Sequence, residues 1–146
     1  MSNRVLVHVD DDPDEAFLFA RALARSGIQG WNYRHLSDAP QAMEYLKRTK
    51  AGEAQTPDVM IIDVRMPVIN GLELLEWVAD HHPTVPVVML SSSDLLQDRL
   101  RARNLGSRGY FVKSSGHEEL MTFLRNWQSM TIEPLETRRE ILTLPG

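Results

Sequence analysis

Hydrophobic residues along this chain follow two alternating rhythms. Short β-rich runs occur at Arg4–Val9, Trp31–Leu36, 58–62, 85–90 and Gly109–Val112, each bounded by Asp, Pro, Gly or Ser. Between them the period lengthens to that of a helix. Ala39, Ala42, Met43 and Leu46 fall at i, i+3, i+4 and i+7, as do Gly71, Leu74, Leu75 and Val78, and again Leu120, Phe123, Leu124 and Trp127. Ala16, Ala20, Leu23 and Ala24 mark a helix after Asp12, with Pro13 in its first turn and Gly27 just past its end. The helix expected after Ser93 is the least periodic.

Strands alternating with helices predict an α/β fold, a doubly wound five-stranded parallel sheet in a three-layer (βα)5 arrangement, because parallel crossovers need a helix and turn right-handed. The runs VMII and VPVVML are apolar without alternation, as expected of strands buried on both faces. In such sheets ligands bind outside the carboxyl ends of the strands, at the switch point. Those ends carry chemistry. The first run ends in Asp10, Asp11 and Asp12, the third in Asp63, the fourth in Ser91, Ser92 and Ser93, and the fifth in Lys113.

Carboxylates, a hydroxyl and an ammonium at one end of a sheet suit a hard cation such as Mg²⁺, which binds through one or two carboxylates and recruits a phosphate oxygen. Three negative charges from Asp10, Asp11 and Asp63 would balance Mg²⁺ and Lys113. A plainer reading of the aspartate run is a solvated turn or helix N-cap, and Asp12 is expected to be such a cap. An EF-hand loop starting at Asp10 fails twice, with Glu15 where Gly belongs and Arg21 where Glu belongs.

With 146 residues, 42% hydrophobic, the chain supports one domain, assigned to 1–128, followed by a tail at 129–146 too short for a DNA-binding domain. A net charge of −4 offers no basic field, and Arg99 and Arg103 share a helical face from which Arg101 points away, so no direct nucleic-acid contact is expected. There are no cysteines, which removes disulfides and thiolate sites. No run approaches the ~18 apolar residues of a membrane span, and the start of the chain lacks the apolar centre of a signal peptide, so a soluble cytoplasmic protein without membrane insertion is expected. His8 reads as a buried, hydrogen-bonded histidine and the three tryptophans as packing residues.

The segments VDDDP, IIDVRMPVINGLELL, VPVVMLSSSD and GYFVKS together resemble the response-regulator receiver family, of the chemotaxis-regulator type, from about Arg4 to Trp127. The resemblance implies a flavodoxin-like fold, Asp63 as phosphoacceptor and Asp10 with Asp11 as the acidic metal pair, the Mg²⁺ site being completed by Asp63 and the Arg65 main-chain carbonyl. It also implies Ser91 and Tyr110 as switch residues, and Lys113 as the lysine that contacts the phosphoryl group. Its partners would be a sensor histidine kinase or phosphotransfer protein and a downstream protein target, with the tail offering a route to a homodimer. Such a protein is a phosphoacceptor that assists its own phosphorylation and dephosphorylation, and is not an enzyme acting on other molecules. EAQTPDVMIID and the tail are similar to the small single-domain regulators that partner bacterial phytochrome kinases.

Three positions depart from the family pattern. Ser114 replaces the proline, often cis, that usually follows the lysine; Ser91 replaces the commoner threonine; and Arg65 places a large cation beside the acceptor. Aspartyl-phosphate enzymes of the haloacid dehalogenase type want a second Asp two residues after the nucleophile, where Arg65 stands. The other alternative is a degenerate receiver that serves only as a docking module, against which the intact set Asp10, Asp11, Asp63, Ser91 and Lys113 speaks.

Overall fold

The structure is a computed structural model that describes residues 4–114 and 116–127; the 129–146 tail lies outside the described residues. Five strands, β1 (Arg4–Val9), β2 (Trp31–Leu36), β3 (Val59–Asp63), β4 (Val87–Ser91) and β5 (Gly109–Val112), alternate with five helices, α1 (Pro13–Arg25), α2 (Ala39–Lys50), α3 (Gly71–His81), α4 (Leu96–Asn104) and α5 (Glu118–Arg125). All pairings are parallel and the strand order is β2-β1-β3-β4-β5. The chain therefore steps outward from β1 to β2 and returns on the other side of β1, which puts the switch point between β1 and β3.

Two strands differ from the sequence expectation at both ends. β3 is shifted one residue later, and β4 starts at Val87 because Pro86 has no N–H and Val85 bonds its own to the carbonyl of His82 in the preceding turn. Asp63 and Ser91 are consequently the last residues of their strands, held in the ladder and not free beyond it.

Alternation along the central strands divides the core. Val5, Val7, Val9, Met60, Ile62, Val87 and Met89 pack with α2, α3 and α4; Leu6, Val59, Ile61, Val88 and Leu90 pack with α1 and α5. Burial of each large apolar side chain contributes roughly 1.5–3 kcal/mol, and β3 and β4 are buried at every position. Helix ends follow their residues. Asp12 caps α1 by accepting from the Asp14 N–H at 2.9 Å, and Gly27 continues past its end at φ +79°. Asn70 and Glu73 form a reciprocal capping box at α3. Among the described helices α4 alone lacks an apolar stripe, and like α5 it has no side-chain cap: Ala102 is its one buried residue, while Leu96 and Leu100 are exposed.

Candidate functional site

Asp10 follows the last residue of β1 and Asp63 ends the neighbouring β3, so the two carboxylates meet at the switch point. Asp10 is fully buried; its Oδ1 accepts from the Asp12 N–H at 2.9 Å, and its Oδ2 lies 3.2 Å from Lys113 Nζ. The same ammonium is 3.4 Å from Asp63 Oδ1 and 3.8 Å from Glu15 Oε1 on the first turn of α1. Lys113 is fixed from behind by its own N–H, which donates to the Ser91 carbonyl at 2.7 Å and so ties the ends of β4 and β5 together. One oxygen from each of Asp10, Asp11 and Asp63 falls within a sphere where all lie 4.8 Å or less from one another. Hard oxygen donors so close fit a hard divalent cation.

The electrostatics point the same way. Burial first, then the charge of Asp10, pushes the Asp63 carboxyl up from 3.8 to about 7, with Lys113 opposing and Asp11 adding a smaller push. Burial works against the Lys113 ammonium, but Asp63, Asp10 and Glu15 outweigh it and hold its pKa above the ordinary lysine value. Asp10 and Asp11 both disfavour the Asp63 charge, and one ammonium is shared by Asp10, Asp63 and Glu15. The cleft is short of positive charge, which is what a divalent ion would supply.

Behind the carboxylates lies a layer of aromatic and imidazole rings. His8 is fully buried on the same face as Leu6 and Ile61, its Nδ1 2.7 Å from the Tyr33 hydroxyl and its Nε2 3.6 Å from Asp10 Oδ2. Burial, reinforced by His35, Lys113 and His117, drives its pKa down to about 3, so the ring is neutral. The reading of His8 as a buried histidine holds, though only Nδ1 is hydrogen-bonded. His35 donates from Nε2 to the Asp10 carbonyl at 2.7 Å, and His117 caps α5 from a left-handed conformation at φ +49°. Glu15, Tyr33, His35 and His117 were not singled out by the sequence reading. Alternation in WNYRHL does put Tyr33 and His35 on one face, but which strand they border is a matter of topology.

On the other side of the acceptor, Ser91 is buried and its hydroxyl accepts from the Ser93 N–H at 3.1 Å. The half-buried Tyr110 donates its hydroxyl to the Ser93 carbonyl at 3.4 Å, with the Arg99 guanidinium 5.0 Å above its ring. Ser93 thus links the two residues expected to switch. Arg65 turns away toward α4, its guanidinium 2.8 Å from Asp98 Oδ2. Among the described residues no peptide bond is cis, so the Lys113–Ser114 bond is trans.

The response regulator receiver domain family matches this chain over residues 5–125. The chain belongs to that family. This receiver domain is 33% identical over 122 residues to the transcriptional regulatory protein TrcR of Mycobacterium tuberculosis, covering 84% of this chain and 44% of that protein. It spans 46%, 23% and 29% of the length of three other curated regulators that it matches. Among solved structures it is similar to the bacteriophytochrome response regulator RtBRR, at 30% identity and a TM-score of 0.69 over 84% of this chain and 78% of that one. The chemotaxis protein CheY4 of Vibrio cholerae shares the fold, at 24% identity and a TM-score of 0.69 over 86% and 98% of the two chains. The flavodoxin-like fold and the two-component signalling role expected from the motifs stand. Among the described residues no helix is long and apolar enough to cross a membrane.

Proposed function

We propose that this receiver domain accepts a phosphoryl group on Asp63 in a Mg²⁺-dependent reaction and signals through the surface of α4, β5 and α5. The observation that carries this reading is the position of Lys113 Nζ, 3.2 Å from Asp10 and 3.4 Å from Asp63, beside three carboxylates that converge within 4.8 Å. Asp10, Asp11, Asp63 and the Arg65 main-chain carbonyl would hold Mg²⁺, and the ion supplies charge neutralisation and a grip on a phosphoryl oxygen.

An Asp63 oxygen attacks phosphorus in a phosphohistidine of a sensor histidine kinase or phosphotransfer protein; the P–N bond breaks, the imidazole leaves, and an acyl phosphate remains. Lys113 balances the added charge. The dianion draws the Ser91 hydroxyl away from the Ser93 N–H, Tyr110 releases the Ser93 carbonyl and moves inward, and α4, weakly anchored by Ala102 alone, shifts with its loop. A downstream protein, or a second copy of the chain in a homodimer, reads that surface. Hydrolysis of the acyl phosphate resets it. The similarity to RtBRR supports a bacteriophytochrome-type kinase upstream; the cytoplasmic site of action and the 1–128 receiver bounds are part of the same proposal.

Intact mass after incubation with acetyl phosphate tests the reading. Wild type should gain one phosphoryl group with Mg²⁺ and none with a chelator, and Asp63→Asn should gain none. No gain in wild type would favour a phosphorylation-independent docking module, and rapid turnover of many phosphate esters would favour an enzyme.

A further inference from the structure

Among the described residues, two buried side-chain nitrogens have no hydrogen-bond partner: Nδ1 of His117 and Nε2 of His8. The second lies 3.6 Å from Oδ2 of Asp10, with neither side chain exposed to water. A neutral imidazole carries one proton, so either Nδ1 or Nε2 holds it. If Nδ1 held it, that N–H would donate to the Tyr33 oxygen and Tyr33 to the Ala16 carbonyl at 3.2 Å. The bare Nε2 lone pair would then face a buried carboxylate, acceptor against acceptor, at a cost of the order of 1–3 kcal/mol. With the proton on Nε2, Tyr33 donates to Nδ1 across the shorter 2.7 Å gap and an N–H points at the carboxylate. The Ala16 carbonyl loses little, because it sits in α1 and already accepts within the helix.

We propose that His8 is a positioning residue for Asp10: Tyr33 fixes the imidazole in its Nε2–H tautomer, and that N–H holds the Asp10 carboxylate in the orientation that binds the divalent ion. The inference rests on the Mg²⁺-dependent acceptor reading above. Asp10 has two other donors, the Asp12 N–H on Oδ1 and the Lys113 ammonium on Oδ2. When Lys113 turns to an incoming phosphoryl group, Oδ2 keeps only the donor from behind, and a small rotation of the carboxylate closes the 3.6 Å gap to a hydrogen bond. β2 acts twice on this one residue, since Tyr33 orients His8 while His35, paired in register with His8, bonds the Asp10 carbonyl. Partners that orient a metal ligand are worth about 10–100-fold in metal affinity.

The test uses the full chain, with Mg²⁺ itself as the probe. Long-range ¹H–¹⁵N spectra of the metal-free protein should show His8 as the Nε2–H tautomer, and Tyr33→Phe should shift it toward Nδ1–H. An Nδ1–H tautomer in wild type overturns the proposal. In MgCl2 titrations followed by site amide shifts, His8→Leu should weaken Mg²⁺ binding about 10–100-fold, while His8→Gln, whose amide N–H replaces Nε2–H, should stay within about threefold of wild type. Equal affinity in His8→Leu and wild type overturns the proposal, as does an equal loss in Leu and Gln variants that tracks their metal-free urea midpoints, which would mark simple packing. If wild type itself binds no Mg²⁺, it is the acceptor reading that fails, while the tautomer is still read from the spectra.

Discussion

The α-carbon of Gly71 packs against the main-chain carbonyl of Asp63 so closely that a Cβ built on it would overlap that oxygen and stand 2.9 Å from the Val64 α-carbon. The start of α3 is thus braced on the backbone of the acceptor itself, and the Gly71 N–H donates to the Val64 carbonyl at 2.8 Å. Gly71→Ala must push strand and helix apart. It should cost about 1–3 kcal/mol in urea unfolding, as overpacking does, and lower the phosphoryl gain at temperatures where the variant is still folded. An unchanged midpoint would contradict this packing.

Asp63 ionises at about pH 7 in the fold against 3.8 ordinarily. Because the folded value is the raised one, the folded state keeps a proton that the unfolded state has already released between those limits. Stability from this group is therefore full below about pH 4 and lost as pH rises toward 7. Asn cannot ionise, so Asp63→Asn should stabilise the metal-free protein little at pH 4 and increasingly up to pH 8, with a ceiling on the order of 4 kcal/mol. Urea unfolding of both proteins across that range checks it; a gain flat with pH would contradict the account.

Lys113 holds the same two carboxylates that the ion would bind. Lys113→Met should lower metal-free stability at pH 8 by about 1–3 kcal/mol, discounted from a fully buried pair because the side chain is 16% exposed. Mg²⁺ affinity should rise severalfold once the competing ammonium is gone, and phosphoryl acceptance should fall. Weaker Mg²⁺ binding in the variant would count against a shared site.

Val68, in the loop after the acceptor, is 98% exposed and sits at φ +68°, where a β-branched residue is strained by about 1–3 kcal/mol. Gly is free of that strain but loses about 0.5–1 kcal/mol in chain entropy. Val68→Gly should therefore raise the urea midpoint, with a gain in unfolding free energy of up to about 2.5 kcal/mol. A lower midpoint would show that the loop is relaxed.

Most of the fold was legible because apolar period alone separates these strands from these helices, and the acidic and basic side chains stand at strand ends where a parallel sheet gathers them. The exceptions have physical causes. Pro86 and its turn moved the start of β4, and α4 has little period to read because only Ala102 is buried. His8 was legible as buried but not as a neighbour of Tyr33 and His35, since sequence does not say that β2 lies beside β1. Arg65 read as a large cation beside the acceptor, either tuning dephosphorylation or simply solvated; its side chain is largely exposed and pairs with Asp98 in the first turn of α4, a partner that the weak pattern of that helix did not reveal.

Borohydride reduction of the phosphorylated protein, followed by peptide mapping, tests the central claim most directly, because it converts an aspartyl phosphate to homoserine at the residue that carried it. With Mg²⁺ and acetyl phosphate, homoserine should appear at position 63 and vanish when a chelator is present. Homoserine at Asp10 or Asp11, or none at 63 in protein that has gained a phosphoryl group, would contradict the account.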